Sequence, residues 1–356
     1  MATTRLAAPR GRAAHPRSSS LLSVQSLRKK SKFCMTNIFV SITSHCECAK
    51  RAPYCAFDEP RRTCSPGEMQ VPSDVAAAYS ELLAMHPFSV GKQISARHRE
   101  RIGVTDEKLA EHSSLTYGET PLETVARVLE SSDRLRRAPG VDAEAAAAAQ
   151  RREVFLDVGS GVGKPVFAAA LLRPWARCIG VELMRGLHRT ARELRRAFRS
   201  GLPFVQRGVK GTLYRVPAEA RATRIELRCG DVTSAATMAL EGSDDEDDDY
   251  GEDDEGDDDE EDEGRDGTES DRSPAPGPQL ESLWSQVDVA FACSTCFDEA
   301  MMQRLSQAAL PMRPGTVFAT SGVRMSEDWG EVVECVSANM SWGEATIYIH
   351  VRRGDS

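Results

Sequence analysis

Apolar residues in the second half of the chain form short runs that alternate with amphipathic stretches. Such runs predict buried strands, and the helical spacing of apolar positions between them predicts helices. The alternation ends in a hairpin around Ser341-Trp342-Gly343 and predicts an α/β fold with a mostly parallel seven-stranded sheet. The predicted strands are Val154–Val158, Cys178–Leu183, Arg224–Asp231, Val287–Cys293, Gly315–Thr320, Val332–Val336 and Thr346–Val351. The predicted helices between them are Val166–Leu172, Leu187–Phe198 and Glu299–Leu310.

Helical periodicity also fills residues 73–150, which we interpret as a small helical subdomain ahead of the sheet. Within it lies the sequence Tyr117-Gly-Glu-Thr120. The spacing favours an ordinary helix start, with Thr120 before Pro121 as the N-cap and Glu123 in the first turn. A ligand-binding turn is the alternative. The helices predicted here are Ser73–Met85, Asp106–Glu111, Leu122–Leu135 and Asp142–Gln150.

The segment Asp157-Val-Gly-Ser-Gly-Val-Gly163 joins the first predicted strand to a helix. Its alternate glycines let the backbone approach a ligand closely. A Walker phosphate loop is excluded, because Pro165 stands where that motif has its magnesium-binding hydroxyl. A dinucleotide fold has G-x-G-x-x-G and a pyrophosphate, which Asp157 would repel. A carboxylate attracts a cation, and S-adenosylmethionine carries an ammonium, a sulfonium and no phosphate. The loop therefore predicts S-adenosylmethionine.

Acidic residues also follow the next two predicted strands. Glu182 ends the second strand, where ribose hydroxyls are bound by charge-assisted hydrogen bonds worth roughly 1.5–3 kcal/mol each. Gly230-Asp231 ends the third strand, where it can meet the adenine amino group. Both positions fit a nucleotide lying across the carboxyl ends of the strands.

Charge is distributed very unevenly along the 356 residues. Residues 244–266 hold 18 acidic residues and one basic residue, within a low-complexity insert at 242–280 that we predict to be disordered. Removing the net charge of −17 of residues 244–266 from the chain's −9 leaves +8 for the remaining residues. A basic body suits polyanions such as nucleosomal DNA. The acidic insert suits basic proteins such as histones, or is only a solvated tether.

The N-terminal segment, residues 1–72, is predicted to be disordered, basic and cysteine-containing. Its first 46 residues hold eight Lys or Arg and no acidic residue. This composition predicts a nuclear signal or a DNA-contacting arm, with an organellar transit peptide as the alternative. The cluster of His45, Cys46, Cys48, Cys55 and Cys64 has irregular intervals instead of the paired spacing of zinc ligands, so no metal is predicted. No apolar run approaches the ~20 residues of a membrane span, so no membrane association is expected.

Together, five motifs resemble those of the Dot family (disruptor of telomeric silencing) of non-SET histone lysine methyltransferases. The motifs are Tyr117-Gly-Glu-Thr120, the glycine segment, Gly180-Val-Glu182, Gly230-Asp231 and Ser341-Trp342. The resemblance spans roughly residues 100–352 and implies a Rossmann-like class I methyltransferase domain over 151–352, interrupted by the insert. It also implies methylation of a lysine in the core of histone H3, a nuclear location, the nucleosome as partner and a monomeric enzyme.

The resemblance assigns roles to individual residues. Tyr117 and Glu119 would clamp the methionine part of the cofactor, and the glycine segment would hold its amino-acid end. Phe297 and Trp342 would wall the lysine channel, with Cys293 beside the transferred methyl group. The implied cofactor-binding residues are Tyr117, Glu119, Thr120, Asp157, Gly159, Ser160, Gly161, Gly163, Glu182 and Asp231.

Two departures from the family pattern fall on the lysine side. The family has Asn-Asn-Phe-Ala-Phe where this chain has Cys293-Ser-Thr-Cys-Phe297, which offers no amide. It has paired tyrosines where Ile347-Tyr-Ile-His350 offers one. Two other functions therefore stay open: a class I methyltransferase for another protein or a small molecule, and a catalytically weak chromatin-binding module.

Overall fold

A computed structural model describes residues 71–104, 113–137, 142–200, 216–240 and 282–354. All of them belong to one compact unit, Glu59–Ser356. The N-terminal segment, the predicted helix Asp106–Glu111 and the acidic insert lie outside the described residues. The helices are α1 Ser73–Met85, α2 Phe88–Arg101, α3 Leu122–Arg136, α4 Ala143–Gln150, α5 Lys164–Leu172, α6 Arg185–Ser200, α7 Ala218–Arg221 and α8 Glu299–Ala308. The strands are β1 Val154–Val158, β2 Arg177–Glu182, β3 Arg224–Cys229, β4 Val289–Ala292, β5 Val317–Ser321, β6 Gly330–Met340 and β7 Gly343–Arg352.

The strands form one seven-stranded sheet in the order β3-β2-β1-β4-β5-β7-β6. Strands β1 to β5 are parallel, and β7 runs antiparallel to both β5 and β6. This is the class I methyltransferase arrangement, so the predicted fold class is confirmed. The strand order reverses between β1 and β4, and a ligand in such a sheet binds beyond the carboxyl ends of the strands at that point.

Both faces of the sheet are covered, which explains why its central strands are continuously apolar. All five residues of β1 are buried. On one face, Phe155 and Phe291 pack with Phe167 of α5 and Phe198 of α6. On the other face, the core contains Leu156, Ile179, Phe318, Trp284 and Trp329.

The N-terminal helices share the first of these cores. Val75 and Leu82 of α1 and Val125 of α3 belong to the same buried cluster as Phe155. Helix α2 is absent from our sequence prediction. Only Gly91 and Ser95 of its fourteen residues are buried, so it has no apolar stripe to reveal it. It is held instead by close packing of Gly91 under the ring of Tyr117.

Strand β6 is longer than predicted, because its polar residues alternate with apolar ones at the sheet edge. Its exposed positions include Glu331 and Asn339, which a search for apolar runs passes over. Pairing with β7 extends from Gly330 to Met340. The two strands form the predicted closing hairpin, with Ser341 and Trp342 in its turn.

A buried histidine anchors this hairpin to the sheet. His350 Nδ1 lies 2.9 Å from the Phe318 carbonyl, and its Nε2 accepts the Met325 N–H at 3.2 Å. Burial lowers the pKa of His350 to about 4, so it is neutral at pH 7. Its role is therefore structural.

None of the helices in the described ranges is long and apolar enough to cross a membrane.

Candidate functional site

The glycine segment forms a tight loop between β1 and α5. Gly159, Gly161 and Gly163 have φ values of 69°, 57° and 84°, a region that residues with a Cβ rarely adopt. The N–H groups of Gly159 and Ser160 donate to the Val181 carbonyl at 2.9 and 3.0 Å, which attaches the loop to β2. The Ser160 hydroxyl packs beneath the loop, because a Cβ on Gly180 would lie 2.8 Å from it.

Asp157 lies at the start of this loop with only 1% of its surface exposed. Its Oδ2 has no hydrogen-bond partner among the described residues. Burial raises its pKa well above the ordinary value, and the nearby Glu182 raises it further. An unpaired buried carboxylate is costly, and a cationic ligand group would offset that cost. The residue therefore fits the ammonium end of S-adenosylmethionine.

Glu182 lies at the end of β2, where it contacts the same loop. Its Oε2 accepts the Gly161 N–H at 2.7 Å, and its Oε1 accepts the Met184 N–H at 2.8 Å. Burial raises the pKa of Glu182, while these backbone donors oppose the shift. Each carboxylate oxygen keeps a second lone pair, so Glu182 can hold the loop and accept ribose hydroxyls as well.

Asp231 follows β3 at the same edge of the sheet and is exposed. Its Oδ1 accepts both the N–H and the hydroxyl of Thr233 at 2.8 Å. The Gly230 N–H donates to the Glu182 carbonyl at 2.9 Å, which brings the ends of β2 and β3 together. The second oxygen of Asp231 is the one that could meet an adenine amino group.

Tyr117 covers the glycine loop from outside the sheet. A Cβ on Gly161 would lie 2.9 Å from Tyr117 Cε2. The Tyr117 hydroxyl donates to Glu119 Oε1 at 2.9 Å, and Lys164 Nζ donates to the same oxygen. Burial and the Glu119 carboxylate both raise the pKa of Tyr117. Tyr117, Glu119 and Lys164 thus form a connected lid over the loop.

Two residues of this region were missed by sequence reasoning. Lys164 is 3% exposed and begins α5 directly after the last loop glycine. That position, directly after the last loop glycine, was the available signal. Tyr79 of α1 is buried with a hydroxyl that has no partner among the described residues, and its pKa is raised by burial and by Glu119. Nothing in the apolar pattern of α1 distinguishes it from a core aromatic residue.

The Tyr117-to-Thr120 turn is tied to the β6–β7 hairpin. The Ser341 N–H donates to the Glu119 carbonyl at 3.2 Å, and the Glu119 N–H donates to Ser341 Oγ at 3.0 Å. The Trp342 ring lies on Gly118, where an added Cβ would be 2.4 Å from Cζ3. Two motifs separated by 222 residues in sequence therefore form one wall of the site.

The residues after β4 lie beside the same turn, since Cys293 contacts Thr120. The Cys293 thiol interacts with the hydroxyls of Ser321 and Thr120, and burial raises its pKa to about 12. Phe297 faces the glycine loop, since a Cβ on Gly159 would lie 3.7 Å from its Cζ.

The helix cap that spacing favoured at Thr120 is wrong. Helix α3 has Pro121 as its N-cap with no side-chain cap bond, because Thr120 is buried towards Cys293.

The structure thus gathers the predicted residues at the carboxyl ends of β1, β2, β3 and β4. The Asp157, Glu182 and Asp231 side chains follow consecutive strands of the sheet, as a bound nucleoside requires. The described residues contain no group of three or more His, Cys, Asp or Glu that could hold a metal ion.

Comparison with known proteins agrees with this geometry. A family model described as "Histone methylation protein DOT1" matches residues 105–205, which include the Tyr117-to-Thr120 turn, the glycine loop and Glu182. No curated protein matches.

Three similar solved structures share little sequence with this chain. The rRNA methyltransferase AviRa from Streptomyces viridochromogenes is 11% identical and has a TM-score of 0.38, over 66% of this chain and 86% of that one. TrmN from Thermus thermophilus is 13% identical with a TM-score of 0.36, over 69% of this chain and 52% of that one. Magnesium protoporphyrin IX methyltransferase from Synechocystis was solved with bound S-adenosylmethionine. It is 8% identical with a TM-score of 0.33, over 73% of this chain and 97% of that one.

Because these structural similarities are weak, the fold assignment rests on the sheet topology itself. The DOT1 match adds the family likeness, over the part of the chain that builds the cofactor side of the site. The chain thus has the sheet of a class I methyltransferase, a segment similar to the DOT1 family, and a buried carboxylate that fits the cationic end of S-adenosylmethionine.

Proposed function

We propose that this methyltransferase acts on a lysine of histone H3 in nucleosomes. The observation that carries the proposal is the joined wall of Tyr117-to-Thr120 and Ser341-Trp342, which places the Tyr117 ring over the glycine loop and the Trp342 ring against Gly118. The DOT1 likeness of residues 105–205 supports the same substrate class. Nucleosomes as partner and the nucleus as location are part of this proposal.

The proposed wall suits the chemical requirement of lysine methylation. Bound S-adenosylmethionine supplies an electrophilic methyl group, which a neutral amine can attack. A free lysine has a pKa of about 10.4, so only about one in a thousand or fewer is neutral at pH 7. Phe297 and Trp342 would surround the side chain with apolar surface, which disfavours the charged ammonium. The chain's remaining task is to hold donor and acceptor in line and exclude water.

One specific observation favours a different acceptor. Cys293 presents a half-buried thiol, engaged by Ser321 and Thr120, where the Dot family has an amide. A methyltransferase for another protein or for a small molecule would need no amide at that point. We keep this as the second candidate function.

A methylation assay tests the proposal. Recombinant nucleosomes, free core histones and no histone are each incubated with the full chain and tritium-labelled S-adenosylmethionine. We expect a labelled lysine on H3 within nucleosomes, located by mass spectrometry, and a much weaker label with Asp157→Asn at the same cofactor concentration. Intact cofactor binding without any histone label would refute the histone substrate and leave the second candidate.

A weak chromatin-binding module is tested separately. If the insert were the functional element, deleting residues 242–280 would abolish histone binding in a pull-down, while methylation would be negligible throughout. Turnover on nucleosomes by the deleted chain would instead support an enzyme.

A further inference from the structure

Helix α6 presents a row of arginines on its solvent-facing side. Arg185, Arg189, Arg192 and Arg196 recur about once per turn, so they lie along one stripe of the helix. Arg185, Arg189 and Arg196 are exposed, and Arg192 is half-buried. The opposite side of the helix is anchored in the core by Leu187, Ala191, Leu194 and Phe198.

Helix α2 packs beside α6 and runs antiparallel to it. Its residue Ile94 lies 2.7 Å from where a Cβ on Gly186 would be, and His86, just before α2, contacts Glu193 at 3.1 Å. Exposed Lys92 and Arg97 of α2 add to the charge of this helix pair. We call the four arginines of α6 the basic face.

The basic face has little opposing charge of its own. Helices α2 and α6 carry ten Lys or Arg against two Glu, and Glu193 contacts His86. None of the four stripe arginines has an ion-pair partner within the described residues. Like charges one turn apart each destabilise a helix by about 0.2–0.5 kcal/mol. A polyanion bound along the stripe would offset this repulsion.

We propose that the basic face binds the phosphate backbone of duplex DNA. The stripe from Arg185 to Arg196 is ~16 Å long at ~1.5 Å per residue. That length matches the rise of about five base pairs. The stripe presents no aromatic side chain, which single-stranded nucleic acid would stack upon and a protein partner would use as an anchor.

The position of the basic face gives this inference its link to methylation. Helix α6 begins three residues after Glu182, and Gly91 of α2 lies against the Tyr117 lid. DNA on this face would therefore lie beside the cofactor site. The inference deepens the nucleosome proposal, on which its biological meaning rests, but DNA binding itself can be measured without histones or cofactor.

The test is fluorescence anisotropy of the full chain with a short labelled DNA duplex, over a range of salt concentrations. The triple variant Arg185→Gln, Arg189→Gln, Arg196→Gln removes the exposed part of the stripe. The matched control, Arg151→Gln, Arg152→Gln, Arg304→Gln, removes the same charge from exposed arginines elsewhere. We expect the stripe variant to bind about tenfold or more weakly, with a salt slope smaller by about 0.9 for each lost phosphate contact.

Equal losses in both triple variants would overturn the proposal, because net charge alone would then explain binding. Unchanged affinity in the stripe variant would also overturn it, and would leave the stripe to another anion such as the acidic run at 244–266. Melting temperature and cofactor affinity are measured in all variants to exclude misfolding. If nucleosomes are not methylated but the stripe variant loses DNA binding, the proposed substrate fails while the DNA surface stands.

Discussion

The two walls of the site are built in different ways. The base of the cofactor side comes from one stretch, Asp157 to Glu182, whose loop is held by main-chain hydrogen bonds and the buried Glu182 carboxylate, and Tyr117 covers it. The acceptor side brings Thr120, Cys293 and Trp342 together from three distant segments, and Trp342 remains 37% exposed. Local backbone geometry specifies the first wall, whereas side-chain packing specifies the second. Substitutions in the second wall are therefore compatible with the same fold. The departures of this chain from the Dot pattern lie in that wall.

The most severe test of the cofactor wall is Gly161→Arg. At φ 57°, with Tyr117 Cε2 only 2.9 Å from an added Cβ, the new side chain must displace the lid. We expect S-adenosylmethionine affinity to fall by more than about 100-fold, as measured by calorimetry, because about 3 kcal/mol of lost contact and strain suffices. Gly315→Arg is the control, since Gly315 has φ 82° and no atom within 4 Å of an added Cβ. Equal loss of binding in the control would mean that general destabilisation, and not the loop, is responsible.

Asp157→Asn tests the charge at the loop. Removing a charge-assisted hydrogen bond costs roughly 1.5–3 kcal/mol, so cofactor affinity should fall by about 10- to 150-fold. The fold should survive, because the neutral side chain relieves an unpaired buried carboxylate. Wild-type affinity in this variant would remove Asp157 from the ligand site.

The same residue predicts a pH dependence. Burial raises the pKa of Asp157 in the folded protein, so folding favours the protonated side chain. The resulting contribution to the free energy of unfolding is present at low pH and is lost as the pH rises through the folded pKa. The cofactor's ammonium requires the ionised form, so binding should release a proton. We expect the affinity for S-adenosylmethionine to increase with pH from about 4, the ordinary pKa range of Asp, and to reach a plateau above the raised pKa of Asp157. Calorimetry in buffers of different ionisation enthalpy reports the proton, and Asp157→Asn should flatten the profile.

A pair of small substitutions separates the two walls. Gly91→Ala would place a Cβ 2.3 Å from the Tyr117 ring, and Gly118→Ala would place one 2.4 Å from the Trp342 ring. We expect Gly91→Ala to weaken cofactor binding by roughly tenfold, at a cost near 1.4 kcal/mol. Gly118→Ala should chiefly raise the KM for the acceptor. Identical profiles in the two variants would show that the walls respond as one unit.

Cys293→Asn should have the smallest effect and tests the departure itself. It restores an amide where the Dot family has one, on the wall that does not bind the cofactor. We expect a severalfold higher kcat on nucleosomes with an unchanged dissociation constant for S-adenosylmethionine. A fall in activity would indicate that the Cys293 thiol serves this chain's own acceptor, and Cys296→Asn provides the matched control on a neighbouring thiol.

Much of the fold was predictable, because buried strands and amphipathic helices carry their signals locally. Val154–Val158 and Ser73–Met85 match the observed elements, since each is bounded by a clear change in polarity. Helix α2 and the polar half of β6 gave no such signal. Their residues are held by packing and pairing with distant segments, through Gly91 on Tyr117 and through the β7 ladder.

The same contrast separates what the sequence by itself determined from what only the tertiary structure decided. The sequence determined the glycine loop, the acids at the strand ends and the charge distribution, because backbone conformation and net charge depend on residue type and spacing. Only the tertiary structure joined Glu119 to Ser341 and Lys164, left Asp157 Oδ2 without a partner among the described residues, and turned Thr120 from the expected cap towards Cys293. Those contacts link residues far apart in sequence, and side-chain burial, which periodicity cannot report, decides them.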